Sequence, residues 1–519
     1  MVLPVILDKF KSVILGYPLH LVAACLVIRL LLNKYRPGLT SIPGPRLAAF
    51  TDLWRVVDVA KGQTRLTAIA LHKKHGSVVR TGPRHVSISD PALIPVIYDT
   101  KYKFLKTGFY PLQSITWFKK PAMNLFSSRD PEFHRSEKWR AAPSYTVPNL
   151  LPFEPRIDSC VELLMSRLDG FASNHTPVNL GNWLYYYAFD AVSEISVSKK
   201  FGFLEQGQDI DNIYSDAKAM MMYFSTIGQI PLMHKLLLGN PVINYLMKPM
   251  ETWNPQVVFT LKAVEVFYAG QGYAPRNKDM LDFWGYIPSI APEKMNMREL
   301  VVNLSTNLFA GVDTTSIALK AMIYFLCKNP SAMTRLVNDI DTADREGRLS
   351  PTISYKEASA LPYLTAVMKE SIRLHAPVGM LLERHVPAGG LIIGPHHIPA
   401  GTIVGINPWV TNRDSTIFPD PESFKPERWL DSSTEHLAKM ETLFQFNFGA
   451  GSFKCMGRNI SWIEIHKVIP QLLRDFRIEL MDPRKDWEVS AGWFVFQEGV
   501  LCNLTKRKEV EKIQRDRGL

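Results

Sequence analysis

The distribution of apolar and polar positions separates a short apolar N-terminal stretch from a long remainder with the pattern of a globular protein. Residues 13–32 are mostly apolar and contain one charged residue, Arg29, with basic residues on both sides of the stretch. A helix of about 20 residues spans roughly 30 Å, the thickness of the hydrocarbon core of a bilayer. We therefore predict a membrane anchor with one transmembrane helix in residues 1–36, a proline-rich hinge in residues 37–50 and a globular domain in residues 51–519.

Several later segments have helical patterns. Residues 295–328, 361–375 and 459–473 are long apolar or amphipathic segments, and the first two end next to Pro330 and Pro377. Residues 73–83 indicate the end of a helix that runs into a hairpin strand. We find no Gly/Ser-rich linker and no internal repeat after the hinge, so we expect one large domain there.

Composition and charge narrow the class of protein. A hydrophobic content of 46% with 21% charged residues is ordinary for a globular protein with a large core. The net charge of +11 is spread along the chain, which argues against nucleic-acid binding and favours an anionic membrane surface or an acidic protein partner. The five cysteines are scattered without a C-x-x-C pair, which argues against disulfides or zinc and indicates a reducing compartment.

The strongest functional signal is a loop near the C-terminus with the sequence Phe448-Gly449-Ala450-Gly451-Ser452-Phe453-Lys454-Cys455-Met456-Gly457. A lone cysteine is usually a small buried hydrophobe, but Cys455 has a phenylalanine and glycines at fixed offsets. Glycines let a backbone pass close to a flat macrocycle, and free N–H groups can hydrogen-bond a thiolate. The segment closely resembles the haem-binding loop of the cytochrome P-450 family, F-G-x-G-x-R-x-C-x-G. The resemblance implies that Cys455 ligates the iron of haem b and that Phe448, Gly449, Gly451 and Gly457 shape its loop.

One position departs from the family pattern. Phe453 stands where the family has Arg or His, the residue that pairs with a haem propionate. Lys454 is adjacent, but we expect its side chain to point the other way. The resemblance leaves Arg384, which follows Pro377 in the segment that crosses the haem edge, as a candidate partner of the propionates.

A basic segment supplies the other candidate partners. His134 and Lys138 match a family spacing in which a basic residue follows an aromatic or histidine residue by four positions near the propionates, and Arg140 lies close by. A solvated start of a basic helix explains this pattern equally well. We keep Lys138 with Arg384 as predicted cofactor-binding residues.

The segment 295–328 has an unusual middle, Ala310-Gly311-Val312-Asp313-Thr314-Thr315. Gly, Asp and Thr are poor choices for a buried helix. The small Ala310 and Gly311 open a groove for a flat cofactor, and the Thr314 hydroxyl can bond back to the Ala310 carbonyl. The stretch matches the family's oxygen-activation motif, [A/G]-G-x-[D/E]-T-[T/S], which implies that Asp313 and Thr314 deliver protons to bound dioxygen.

A glutamate and an arginine three residues apart share one helix face at Glu370 and Arg373. Such pairs are common on surfaces, but the apolar neighbours here predict a buried pair that requires further partners. The family supplies one through the motif F-x-P-E-R-[FW], matched by residues 424–429, which contains Arg428. We assign Glu370, Arg373 and Arg428 to a structural network rather than to catalysis.

The resemblance covers residues 40–505 and implies a mainly α fold with a small β region, the cytochrome P-450 fold, behind the N-terminal transmembrane helix. It implies that apolar residues line a pocket for a lipophilic substrate, such as a terpenoid, polyketide or alkaloid intermediate of fungal secondary metabolism. The expected lining residues are Trp117, Phe118, Phe309, Val378, Met380, Trp493 and Phe494.

The implied function is a membrane-anchored monooxygenase of the endoplasmic reticulum that faces the cytosol, similar to fungal microsomal members near the pisatin demethylase group. The sequence has no flavin or nicotinamide module, so electrons are expected from a separate NADPH-dependent reductase, with a small haem protein as a possible second donor. Two alternatives remain: a haem-thiolate isomerase or dehydratase that needs no dioxygen, and a non-enzymatic haem-binding membrane protein. The paired Asp313 and Thr314 argue against both.

Overall fold

The computed structural model of the protein describes residues 18–270, 279–286 and 295–507. In these residues the longer α-helices, labelled in chain order, are α1 Pro18–Lys34, α2 Leu53–Ala60, α3 Thr64–His75, α4 Pro131–Ala141, α5 Glu154–Ser173, α6 Leu180–Val197, α7 Ile213–Ile227, α8 Pro255–Ala269, α9 Met280–Tyr286, α10 Met297–Lys328, α11 Pro330–Arg345, α12 Pro362–Leu374, α13 Thr434–Phe446 and α14 Arg458–Asp475. Short helices lie at Ile94–Ile97, Val147–Leu150, Phe203–Gln206, Pro231–His234, Pro241–Leu246, Tyr355–Ser359, Pro408–Thr411 and Arg428–Asp431.

The strands are short and belong to small sheets. They are β1 Val78–Gly82, β2 His85–Ile88, β3 Ile115–Trp117, β4 Lys120–Ala122, β5 Val178–Asn179, β6 Arg384–His385, β7 Leu391–Ile393, β8 His396–Ile398, β9 Ile403–Ile406, β10 Phe476–Leu480, β11 Glu488–Ala491, β12 Val495–Glu498 and β13 Leu501–Lys506. The largest sheet has the order β1-β2-β9-β6, with β2 and β9 parallel and Val86 opposite Val404. A second sheet has the order β10-β13-β5. The prediction of a mainly α fold with a small β region is confirmed.

The core is organised around α10. The Asn296 side chain accepts from the Glu299 N–H while the Glu299 side chain accepts from the Asn296 N–H, a capping box that starts the helix. The helix ends at Lys328, before Asn329-Pro330. It packs closely on α6, because a Cβ added to Gly311 would lie 3.2 Å from Val192. The predicted segment 295–328 is therefore a helix over nearly its whole length.

By length and composition, α10 is the only helix in the described part of the chain that could cross a membrane, but 72% of its apolar window is buried inside the protein. It is therefore a core helix. The predicted anchor falls partly on α1, which has 17 residues, and residues 1–17 lie outside the described residues. Residues 508–519 of the predicted domain also lie outside them.

The predicted hinge is fixed to the body by Arg80 in β1. Its guanidinium donates to the carbonyls of Asn33, Lys34 and Leu39 at 2.5, 3.0 and 3.2 Å. Gly44 lies so close to β1 that an added Cβ would be 2.1 Å from the Arg80 carbonyl oxygen. The segment after α1 is therefore attached to the largest sheet rather than free of it.

Candidate active site

A large internal cavity of about 1140 Å³ is bordered by α10 and by the loop that carries Cys455. Its walls are mainly apolar, with contributions from α7 and from residues 110–126, 377–384 and 493–494. Small-molecule pockets usually measure about 300–1,000 Å³. This cavity can therefore hold a large flat group together with a second molecule.

The Cys455 thiol is accessible from this cavity. The Cys455 N–H donates to the Phe448 carbonyl at 2.8 Å, which closes the loop. Burial raises the pKa of the Cys455 thiol, while the N–H groups of Gly457 and Arg458, which donate to the sulfur, oppose that rise. Arg458 begins α14, so the sulfur also lies beside the positive end of a helix dipole. The N–H groups and the helix end thus favour a thiolate, but burial outweighs them and the pKa of the thiol is raised overall.

Two of the predicted loop glycines have backbone angles that favour glycine. Gly449 and Gly451 have φ values of 73° and 62°. A Cβ added to Gly451 would lie 2.0 Å from the Tyr98 carbonyl oxygen, so no other residue fits there without a shift of the backbone. Phe448, Gly449 and Gly457 line the cavity, whereas Gly451 sits behind the loop against Tyr98.

Ala310, Gly311, Asp313 and Thr314 on α10 line the same cavity. The Thr314 hydroxyl donates to the Ala310 carbonyl at 2.9 Å, the bond that the sequence predicted. Asp313 is 4% exposed, and its Oδ1 has no hydrogen-bond partner. Burial raises the pKa of Asp313 to about 7, and the Lys320 charge partly opposes this. A group with such a pKa can both give and accept a proton near neutral pH.

Two cations lie close to the ring of Phe453. The Lys106 Nζ is 4.4 Å from the ring centroid, and the Arg384 guanidinium is 4.9 Å from it. Lys106 donates to the carbonyls of Leu125 and Phe126, at 3.0 and 2.7 Å. The Arg384 Nε, although buried, has no partner.

The predicted basic segment also reaches the cavity. The Lys138 Nζ donates to the Ser452 carbonyl at 2.6 Å, and the His134 ring lies 4.5 Å from that of Phe453. Burial, followed by the charges of Lys106, Lys138 and Arg384, lowers the pKa of His134 to about 3. This corner of the cavity therefore concentrates positive charge and suits an anionic group.

Arg140, the other basic candidate partner of the propionates, is engaged elsewhere. It is not among the described residues that line the cavity, and its guanidinium forms ion pairs with Glu137 of its own helix α4 and with Glu299 at the start of α10. Lys138 and Arg384 do line the cavity.

The predicted network surrounds the Glu370 carboxylate, which is fully buried. It accepts from Arg373 Nε and Nη2 at 2.9 and 2.8 Å and from Arg428 Nε at 3.1 Å. The Trp429 indole and the Lys425 N–H complete the set at 3.0 and 2.9 Å. The network lies outside the cavity lining, so it supports the core and does not contact a bound group.

The predicted substrate residues divide into two sets. Phe309, Val378, Trp493 and Phe494 line the cavity. Trp117, Phe118 and Met380 are not among the described residues that line it, so the cavity gives these three predictions no support. Phe118 is 67% exposed at the turn between β3 and β4, and Trp117 packs edge-on against its ring. Met380 is buried behind the wall in an apolar cluster with Val59 and Phe109.

Two lysines of functional interest were not predicted. Lys106 lines the cavity, and Lys320 lies buried on α10 next to the Tyr214 hydroxyl. Lys320 could have been noticed in the sequence, because it is a charged residue in an apolar helical stretch. A charged residue that is buried in such a helix requires a partner. Lys106 gave no such signal, because its partners come from residues 125–126 and 453.

Comparison with known proteins gives consistent matches. The family model described as Cytochrome P450 matches residues 43–501. The chain is 34% identical over 498 residues to cytochrome P450 monooxygenase cicH of Emericella nidulans, covering 94% of this chain and 98% of that protein. It is 31% identical over 474 residues to pisatin demethylase of Fusarium vanettenii, covering 89% and 88%. It is 35% identical over 486 residues to cytochrome P450 monooxygenase mpaDE of Penicillium roqueforti, covering 91% of this chain but 56% of mpaDE.

Proposed function

Because the chain belongs to the cytochrome P450 family, we propose that it is a membrane-anchored monooxygenase that hydroxylates, or further oxidises, a lipophilic small molecule of fungal secondary metabolism. Relatives named as cytochrome P450 monooxygenases support the reaction class. The observation that carries the proposal is that Cys455, Asp313 and Thr314 border one cavity. The fold thereby places a thiol and an acid–alcohol pair, which come from distant segments of the chain, at the same cavity.

The family implies a cysteine-ligated haem, and the residues of the cavity fit that group. We propose that Cys455 Sγ binds the iron of haem b, with the N–H groups of Gly457 and Arg458 stabilising the thiolate. The cavity offers an accessible thiol at one wall and the unpaired donor of Arg384 at another. When bound, such a haem supplies the activation of dioxygen and the insertion of one oxygen atom into a C–H bond.

The two haem carboxylates need cationic partners, and Phe453 cannot serve. We propose that Lys106, Lys138 and Arg384 hold them, since all three line the cavity. Burial and the neighbouring charges of Arg384 and Lys138 lower the pKa of Lys106 well below its usual range. A bound anion would relieve that mutual repulsion.

Asp313 and Thr314 move protons in this proposal. The Asp313 carboxyl holds a proton near neutral pH because burial raises its pKa. The Thr314 Oγ1 lies on the next residue of the helix and can pass that proton into the cavity once it releases the Ala310 carbonyl. An isomerase or dehydratase would have no use for this pair, so strict dependence on a reductase and dioxygen is expected.

The lining supports a lipophilic substrate. Phe309, Val378, Trp493 and Phe494 face the cavity together with Met221 and Phe224 of α7. Aromatic rings and thioethers pack against apolar ligands without satisfying polar ones. The relatives named above support fungal secondary metabolism as the setting.

Two exposed apolar segments support attachment to a membrane. Val22, Leu26 and Leu32 project from α1 with more than half of their surface exposed. Leu236, Tyr245 and Leu246 are exposed by 71%, 78% and 76%. Contiguous apolar surface of this kind favours a membrane or a partner. We propose a single-pass anchor in the endoplasmic reticulum, and removal of residues 1–36 should move the protein from the membrane fraction towards the soluble fraction.

The electrons are proposed to come from a separate NADPH-dependent reductase. Lys454 and Arg458 are the basic residues nearest to Cys455 in the sequence, one before it and one after it. Acidic groups on a partner would complement them. A small haem protein could donate at the same surface.

The test is the carbon monoxide difference spectrum of the reduced full-length protein in membranes. We expect the absorption band of thiolate-ligated haem in the wild type and in Cys327→Ala, a matched control because Cys327 is half-buried outside the cavity. Cys455→Ala should lose the band. Retention of the thiolate band in Cys455→Ala, or its absence from the wild type, would contradict the proposal.

A further inference from the structure

A second, smaller cavity of about 360 Å³ is bordered by the start of α6, by Tyr214 and Ser215 of α7 and by residues 497–500, and many of its lining residues are polar. Asp209, Tyr214, Gln497 and Glu498 are among its lining residues. Glu498 and the neighbouring Ser215 are exposed, so this cavity is open to solvent. We call it the outer cavity.

Lys320 of α10 is buried next to Tyr214, one of the residues that line the outer cavity. It is 1% exposed, and its Nζ lies 3.1 Å from the Tyr214 hydroxyl oxygen. The ammonium group is also 4.9 Å from the ring centroid of Tyr214 and 5.7 Å from that of Tyr185. A fully buried lysine is rare because burial penalises its charge. An apolar residue would fill this place in α10 without that penalty.

Asp313 and Lys320 share one face of α10. Seven residues separate them, which is about two helical turns and roughly 10 Å of rise. Side chains on a helix lean towards its N-terminus, so the long Lys320 stem extends towards Asp313. Asp313 Oδ1 is buried without a hydrogen-bond partner. Asp313 thus lies between the Lys320 group and the large cavity, which it lines.

We propose that Tyr214 and Lys320 form a proton-uptake route that leads from the outer cavity to Asp313. This inference rests on the proposed monooxygenase function, which consumes protons in the large cavity. The Asp313 carboxyl first releases its proton into the large cavity. The Lys320 ammonium group then moves from Tyr214 to Asp313 Oδ1 and transfers a proton to it. The neutral amine takes the Tyr214 hydroxyl proton while solvent in the outer cavity delivers another to the same oxygen, so no tyrosinate forms and no electrons move.

The acidities of the groups suit such a transfer. Burial raises the pKa of Asp313 to about 7 and lowers that of Lys320 to about 8, while each charge partly offsets the shift of the other. Burial thus moves the two pKa values towards each other, which favours proton transfer between these groups in either direction. Burial raises the pKa of Tyr214, so its hydroxyl has to receive a solvent proton as it gives up its own. The flexible four-carbon stem lets the ammonium group move between its partners.

Other charged and titratable groups face this site from the neighbouring elements. Tyr185 and Tyr186 come from α6, and burial raises the pKa of both. Lys218 comes from α7, where it pairs with Glu498 of β12 and lowers the pKa of Lys320. The two tyrosines are therefore neutral and the charges come from Lys218 and Glu498, but none of these groups has the hydrogen bond to Lys320 that Tyr214 has.

The first experiment follows the infrared band of the protonated Asp313 carboxyl against pH in the full-length enzyme. The band is identified by its loss in Asp313→Asn. In Lys320→Met we expect it to persist to a pH at least about one unit above the wild-type midpoint, because the stabilising cation is removed. An unchanged midpoint would overturn the inference. This readout does not depend on turnover.

The second experiment measures oxygen consumption by the holoenzyme with NADPH and a flavoprotein reductase, in H₂O and D₂O, without added substrate. We expect Lys320→Met and Tyr214→Phe to slow it at least about tenfold, in line with the usual contribution of proton transfer. Tyr186→Phe, a matched control at the outer cavity, should keep the wild-type rate and solvent isotope effect. The amplitude of the carbon monoxide spectrum checks the folding of each variant.

Lys320→Arg separates a relay from a structural cation. Arginine keeps the charge but does not give up its proton in proteins. The relay therefore predicts that Lys320→Arg stays slow, and wild-type rates in this variant or in Tyr214→Phe would overturn it. If the wild type consumed no oxygen with the reductase, the proposed function would fail. The infrared midpoint would then still decide whether Lys320 and Asp313 are coupled.

Discussion

Replacement of Glu370 by glutamine tests whether the buried network holds the core together. The change keeps the size and shape of the side chain. It exchanges one carboxylate oxygen for an amide NH₂ group in a place where five donors converge. One donor would then face another donor, and the charges of Arg373 and Arg428 would lose their buried counter-charge.

The expected magnitude follows from burial. Glu370 and Arg373 have no exposed side-chain surface, so solvent does not screen the loss. Removing one partner of a buried ion pair destabilises a protein by about 3–5 kcal/mol. The remaining carbonyl partners of Arg373, those of Asn412, Pro421 and Ser423, keep part of its hydrogen bonding. We therefore expect Glu370→Gln to lower the free energy of unfolding by about 3 kcal/mol, the lower end of that range.

The assay is urea unfolding of the purified full-length protein, followed by tryptophan fluorescence. Glu435→Gln provides the matched control, because its carboxylate pairs with Lys439 on an exposed helix face. The control should leave the midpoint unchanged. A loss below about 1 kcal/mol for Glu370→Gln would refute the reasoning, since it would fall in the range of exposed pairs.

Three further changes test the site. Lys106→Met should speed haem loss to an acceptor protein, because one of three cations at the carboxylates is removed; unchanged loss would contradict that role. Gly451→Ala should abolish the thiolate band, because its Cβ would overlap a carbonyl 2.0 Å away, whereas Gly347→Ala, with a similar φ of 69° in open space, should keep it. Asp313→Asn should gain stability relative to the wild type as the pH of urea unfolding rises from about 4 to about 7. Burial raises the pKa of Asp313 from 3.8 to about 7, so the folded wild type holds a proton that the unfolded chain releases, and stability falls through that window. A pH-independent difference would contradict this.

The sequence predicted features that are set by local rules. The ends of α10 were placed within two residues, because Asn296 caps its start and Asn329-Pro330 stops its end. The glycines around Cys455 predicted a loop with positive φ angles, and Gly449 and Gly451 have them. Each of these features depends on a few neighbouring residues and on backbone sterics.

Features that depend on tertiary contacts were not predicted in the same way. Trp117, Phe118 and Met380 have the right chemistry for a pocket, but they are not among the described residues that line the cavity. The surroundings of Lys106 come from residues 125–126 and from Phe453, which is more than 300 positions away. Neither periodicity nor a motif predicts a contact between residues so far apart in the sequence. An isolated lysine is therefore expected at the surface.

Phe453 shows how this chain accommodates the loss of a motif residue. The Lys106 Nζ lies 4.4 Å from the centroid of the Phe453 ring, and the Arg384 guanidinium lies 4.9 Å from it. Cation–π contacts of this kind contribute about 0.5–2 kcal/mol each. In our proposal, Lys106 supplies from a different segment the positive charge that the family places at this position.

This arrangement predicts that Phe453→Arg, which restores the family pattern, weakens haem retention. Two like charges about 4 Å apart repel by roughly 4 kcal/mol at an effective dielectric constant of 20. The substitution would also remove the contacts of the Phe453 ring with the rings of His134 and Tyr102, whose centroids are 4.5 and 5.2 Å away. The double variant Phe453→Arg/Lys106→Met removes the repulsion, so it should retain haem better than Phe453→Arg alone in a transfer assay. If the two substitutions act additively, Lys106 does not replace the charge missing at position 453.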